Sequence, residues 1–135
     1  MGTPRVFVSH SAKDAWVARQ IAAEIRRRGA ETFLDEADIA HSDDFEEAIL
    51  KAEETCTELL VLLTPWSLKR SWVWLEIGFF RHARKRIVGV LYGLSAQDLS
   101  ADPDVASVLT KLDMVELNSL DSYLDQLSNR LGAVP

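Results

Sequence analysis

Short continuous apolar runs alternate along the chain with longer stretches whose apolar positions fall three and four apart. Arg5-Val6-Phe7-Val8-Ser9 is a short apolar run stopped by Ser9-His10-Ser11. Asp14 then opens a helical pattern with Val17, Ile21 and Ile25 at four-residue spacing. Gly29 closes that helix as the residue that can turn left-handed after the last turn. Thr32-Phe33-Leu34 makes a second short strand, followed by the acidic loop Asp35-Glu36-Ala37-Asp38. Asp43 and Glu46 have capping-box spacing, and Phe45, Ala48, Ile49 and Ala52 form the apolar stripe of a second helix.

Leu59-Leu60-Val61-Leu62-Leu63 is apolar at every position, the mark of a strand covered on both faces, and it ends at Thr64-Pro65. A third helix follows, with Ser67 or Ser71 as its N-cap, and Ile87-Val88-Gly89-Val90-Leu91-Tyr92 is a fourth, buried strand. A Ser-, Asp- and Pro-bearing connection with a short helical piece near Val105 to Leu109 leads to Met114-Val115-Glu116-Leu117, whose alternation suits an edge. Leu120, Leu124, Leu127 and Leu131 give the last helix its seam. Strands alternating with helices argue for a doubly wound α/β domain. The expected fold is a flavodoxin-like sheet of five parallel strands, order 2-1-3-4-5, with helices on both faces and ligands beyond the carboxyl ends of strands one and three.

A chain of 135 residues with this composition suits a single domain over 1–135, with its core at about 4–131. Its net charge of −6 repels polyanions, so nucleic acid is not an expected partner. Two basic clusters, Arg26-Arg27-Arg28 and Arg81 with Arg84-Lys85-Arg86, fall where helices end and offset the helix dipole, or else face an anionic ligand or partner. Cys56 is the only cysteine, which excludes an internal disulfide and fits the cytosol. No apolar run is long enough to span a bilayer and no signal-peptide pattern is present, so no membrane is expected and the expected location is cytoplasmic. His10, His41 and His82 lack ligand spacing, so no metal is expected. The chain has no Gly-x-x-x-x-Gly-Lys, Gly-x-Gly-x-x-Gly or Gly-x-Ser-x-Gly motif, which excludes the simplest nucleotide, dinucleotide and hydrolase templates. A phosphoacceptor domain of the same topology needs acids where Ser9-His10-Ser11 and Thr64-Pro65 stand.

The segment Ser71-Trp72-Val73-Trp74-Leu75-Glu76-Ile77-Gly78-Phe79-Phe80 sets one carboxylate in the most aromatic stretch of the chain. Burying it unpaired costs several kcal/mol, so Glu76 needs a partner, water or a ligand. On a helix Trp72 and Glu76 share a face.

Three segments in order resemble the Toll/interleukin-1 receptor (TIR) domain in its bacterial form. They are Val6-Phe7-Val8-Ser9-His10-Ser11-Ala12-Lys13-Asp14, then Phe33-Leu34-Asp35-Glu36-Ala37-Asp38-Ile39, then Leu62-Leu63-Thr64-Pro65-Trp66-Ser67 with Trp72 and Glu76 in Trp-x-x-x-Glu spacing. Many relatives carry Gly in the loop where this chain has Ile39-Ala40-His41-Ser42-Asp43-Asp44-Phe45. The resemblance implies an enzyme that cleaves the nicotinamide–ribose bond of NAD+, giving nicotinamide and ADP-ribose or a cyclic isomer. NAD+ is then substrate, with no cofactor. It implies Glu76 as the catalytic residue and Phe7, Ser9, His10, Ser11, Lys13, Asp35 and Trp72 as substrate-binding residues. It further implies assembly with other TIR domains, activation by self-association and a place in bacterial antiphage signalling or NAD+ depletion. The competing implication is a non-catalytic TIR–TIR adaptor. Other readings stay open at single positions: core packing for Trp72, a salt bridge to Arg70 or Lys69 for Glu76, and helix capping for Ser9, His10 and Ser11.

Overall fold

In a computed structural model, described here for residues 3–34, 50–51, 54–109 and 112–132, the five strands form one all-parallel sheet. They are β1 (Arg5–Ser9), β2 (Glu31–Leu34), β3 (Glu58–Leu63), β4 (Arg86–Leu91) and β5 (Asp113–Glu116), in the order β2-β1-β3-β4-β5. The helices are α1 (Ala15–Arg27), α2 (Ser71–His82), α3 (Ala96–Ser100), α4 (Pro103–Leu109) and α5 (Leu120–Gly132). The chain starts in β1, steps outward to the β2 edge, then returns to build the rest of the sheet from β3. The crevice between the ends of β1 and β3 is therefore the switch point at which ligands bind in such sheets.

Strand alternation divides the core in two. Val6, Val8, Leu60, Leu62, Val88 and Val90 face α1 and α5, meeting Ala18, Ile21, Ile25, Leu124 and Leu127. Their neighbours Phe7, Leu59, Val61, Leu63, Ile87 and Leu91 face the other way, onto Val73, Ile77 and Phe80 of α2. Every residue of β3 is buried, as its unbroken apolar run predicts. The edge strands β2 and β5 carry exposed and half-buried positions. Among the described residues no helix is long and apolar enough to cross a membrane.

Two expectations change. Neither Ser67 nor Ser71 caps α2: Arg70 holds the N-cap position without a side-chain bond, and the Ser67 hydroxyl turns to the Thr64 backbone instead. The helix α3 interrupts the expected loop, started by a capping box between Ser95 and Asp98. On α2 Leu75 is exposed and Trp74 and Phe79 are half-buried. The capping pair Asp43 and Glu46 and the stripe of Phe45, Ala48, Ile49 and Ala52 lie outside the described residues.

Glu58 opens β3 at the opposite end of the sheet from the switch point and is buried. It is held by two parallel bonds from the Arg130 guanidinium, 2.7 and 3.1 Å, and by the Tyr123 hydroxyl at 2.8 Å. Burial first, then the neighbouring carboxylate, pushes the Tyr123 phenol well above its ordinary value, while the hydrogen bond from Arg130 to Glu58 raises the guanidinium. Above pH 10 the unfolded chain ionises this phenol while the folded chain keeps its proton. Stability tied to Tyr123 is therefore complete below pH 10 and declines as pH rises above it, by about 1.4 kcal/mol per unit. Denaturant unfolding at pH 9 to 11 should show a shallower alkaline decline for Tyr123→Phe than for wild type.

Candidate active site

Helix α2 crosses the sheet so that Val73, Ile77 and Phe80 supply its buried stripe. Glu76 lies on the same stripe, since Glu76 and Phe80 are one turn apart. Phe7 and Ser9, two residues apart on β1, share the strand face turned toward that helix. The result is a two-rung ladder. In the lower rung the Phe7 and Phe80 rings meet edge to face with centroids 5.6 Å apart. In the upper rung the Ser9 hydroxyl donates to Glu76 Oε1 at 2.6 Å. Both partners have no exposed surface. An ionised carboxylate only accepts, so the serine proton fixes the orientation of the acid.

Because α2 begins at Ser71, Glu76 stands more than a turn inside the helix. The helix dipole acts mainly within the first turn. The Ser9 bond, rather than the helix end, is a contact that reaches the carboxylate.

A second polar unit ties the two strand ends together. Asp14 Oδ2 accepts from Ser11 Oγ at 2.8 Å and from Thr64 Oγ1 at 2.6 Å, and all three residues are buried. Thr64 Oγ1 accepts in turn from the Ser67 backbone N–H at 3.1 Å, and Ser67 Oγ from the Thr64 N–H at 2.9 Å. The turn after β3 is thereby locked to the turn after β1. Ser11 stands before the short helical turn Ala12–Asp14, but its side chain bonds the Asp14 carboxylate instead of capping a backbone N–H. Thr64→Val keeps the volume but removes one donor and one acceptor from this buried lock. It should lower unfolding free energy by about 2 kcal/mol, measured by denaturant titration.

The remaining candidates are spread around the ladder. His10 is buried, with Nδ1 3.4 Å from the Val8 carbonyl. Lys13 is exposed, its ammonium 5.8 Å from the centroid of the Trp66 ring, which is also exposed. Lys13 and Trp66 thus meet across the crevice from the β1 and β3 sides. Phe7 is buried beneath the Ser9–Glu76 pair, packed on Phe33 as well as Phe80. Asp35 lies outside the described residues, as does the side chain of Trp72. Asp14 and Thr64 join the site: Thr64 directly follows the buried β3, and Asp14 ends the polar stretch after β1. Among the described residues no cluster of His, Cys, Asp and Glu could hold a metal ion.

The family model described as TIR domain matches residues 6–130. No curated protein sequence matches the chain. Among solved structures, the chain is similar to a metazoan TIR-STING receptor from C. gigas in complex with 2',3'-cGAMP. That likeness has a TM-score of 0.72 and 23% identity over 91% of this chain, which spans only 39% of the receptor chain. The TIR domain of the Toll-related receptor TRR-2 from Hydra magnipapillata gives 0.67 and 19%, over 93% of this chain and 94% of that one. The CMP N-glycosidase BcmB of Clostridium botulinum gives 0.59 and 15%, over 91% and 97%. At these identities the likeness is one of fold.

Proposed function

The chain belongs to the TIR domain family, and from that premise we propose that it is an NAD+ nucleosidase with Glu76 as its catalytic carboxylate. The observation that carries this reading is the Ser9–Glu76 pair, a carboxylate oriented by a 2.6 Å bond on an otherwise apolar helix face at the switch point of the sheet. When the C1′–N bond breaks, its electron pair passes to the pyridinium nitrogen and nicotinamide leaves neutral. Positive charge develops on the ribose, and a fixed carboxylate lowers the energy of that oxocarbenium-like state. Water adding at C1′ and losing a proton completes ADP-ribose; an internal nucleophile gives a cyclic isomer. The reaction needs no resident cofactor or metal. Lys13, exposed beside the Trp66 ring, suits the substrate's diphosphate. A further support is that an N-glycosidase, which breaks the same class of bond, shares the fold.

TIR domains commonly assemble with one another, and in this reading self-association activates the enzyme in a cytoplasmic, antiphage role. A specific observation also favours the adaptor reading: Glu76 has no exposed surface in the single chain, as a purely structural acid would. Incubating concentrated protein with NAD+ and separating the products by chromatography decides between the two. Nicotinamide should appear in step with ADP-ribose or its cyclic isomer. Absence of nicotinamide at high protein concentration with a crowding agent leaves the adaptor.

A further inference from the structure

The two basic clusters meet different fates. At the end of α1, Arg27 and Arg28 pair with Glu24 at 2.6 and 2.8 Å, and Arg26 donates to Thr32. At the end of α2, Arg81, Arg84, Lys85 and Arg86 line a surface cleft of about 280 Å³ whose lining contains one carboxylate, Asp113. Lys85 is steered by the Cys56 carbonyl at 2.8 Å. Among the described residues the side chains of Arg81, Arg84 and Arg86 form no ion pair or hydrogen bond. In a chain of net charge −6 this is a local reversal of the field.

Arg84 adds a second, independent observation. It sits at φ 59°, the one non-glycine residue with positive φ among those described. The helix ends there with Arg84 N–H bonded to the Arg81 carbonyl and Lys85 N–H to the Phe80 carbonyl, both at 3.0 Å. Glycine is the usual residue at this left-handed position, since a side chain is disfavoured there. Compensation of the helix dipole accounts for Arg81 in the last turn. It accounts neither for Arg86, the first residue of β4, nor for an arginine at the strained position.

We propose that this cleft is a binding site for a phosphorylated small molecule that carries a diphosphate group. Planar guanidinium groups match phosphate oxygens two at a time, and three unpaired ones suit the charge of a diphosphate. The cleft falls just below the ~300–1,000 Å³ of pockets that enclose whole ligands, so it holds the phosphate end and leaves the rest of the molecule in solvent. It is separate from the candidate active site. Arg86 pairs with Glu58 whereas Ser9 pairs with Val61, so Ser9 lies three residues, about 10 Å, further along the sheet and two strands away.

Calorimetric titration with inorganic pyrophosphate at low salt tests the site. Wild type should bind one pyrophosphate per chain, more weakly as salt rises. Arg84→Gly relieves the left-handed residue and deletes a guanidinium, so it should raise the melting temperature by about 3–5 °C while weakening binding at least tenfold. Adding Arg81→Ala and Arg86→Ala should abolish the binding heat, and Arg27→Ala, at the paired cluster on α1, should leave it unchanged. The proposal is overturned if the triple variant binds like wild type, or if binding is lost with Arg27→Ala instead. It is equally overturned if wild type binds duplex DNA or acidic vesicles but not pyrophosphate.

Discussion

Glu76→Gln is expected to lower nicotinamide release from NAD+ by about a thousandfold while changing unfolding free energy by no more than about 1 kcal/mol. The glutamine carbonyl can still accept the Ser9 hydroxyl, which reaches Glu76 at 2.6 Å, so the upper rung of the ladder survives. What disappears is the negative charge that would face the departing nicotinamide's ribose. A hundred- to thousandfold loss is typical when one preorganised electrostatic group is removed from a transition state. Glu76→Ala is the less informative change because it leaves the buried Ser9 hydroxyl without its acceptor. Equal release by wild type and Glu76→Gln would remove the residue from the catalytic role. Unfolding of the glutamine variant would assign it to structure.

The largest effect on stability is expected far from that carboxylate. Arg130→Ala should cost about 3–5 kcal/mol, because it strips both guanidinium bonds from Glu58, whose side chain is 1% exposed. Tyr123 alone cannot compensate a full charge. The penalty comes from the abandoned carboxylate more than from the lost pair. Combining Glu58→Gln with Arg130→Met should therefore recover most of it, since no charge is left buried. Urea or guanidinium midpoints of the two variants check this. A double variant no more stable than Arg130→Ala would show that the pair itself, and not the orphaned charge, carries the energy.

The strand pattern was legible because burial on both sheet faces writes itself as unbroken apolar runs. Leu59 to Leu63 and Ile87 to Leu91 read as buried strands and are so; the alternation of elements gives the parallel sheet, and its order is the flavodoxin-like one expected for a chain of this size. The Ser9–Glu76 neighbourhood was legible for a related reason, a charge where the helix pattern wants an apolar side chain. Long-range polar partners were not. Asp14 and Thr64 are 50 positions apart, and Glu58 and Arg130 are 72 apart. Nothing local in the sequence distinguishes such an acid from a solvated one. α3 was missed because five residues are too short for a helical period, although its Ser95–Asp98 capping box was visible. The Ser67 and Ser71 cap assignments failed because the Thr64 backbone competes for the Ser67 hydroxyl and the helix starts from Arg70 without a side-chain cap.

The complete enclosure of Glu76 has a thermodynamic consequence for any ligand that must touch it. Such a ligand binds only the fraction of chains in which the ladder has parted, and its apparent affinity is reduced by that fraction. If about one chain in a hundred is open, binding is about a hundredfold weaker than the open form alone would give. A neighbouring copy that engages the open form removes the same handicap without contributing an atom to the chemistry. Cooperativity between assembly and substrate would then depend on how tightly the contacts of Glu76, the Ser9 bond among them, hold it.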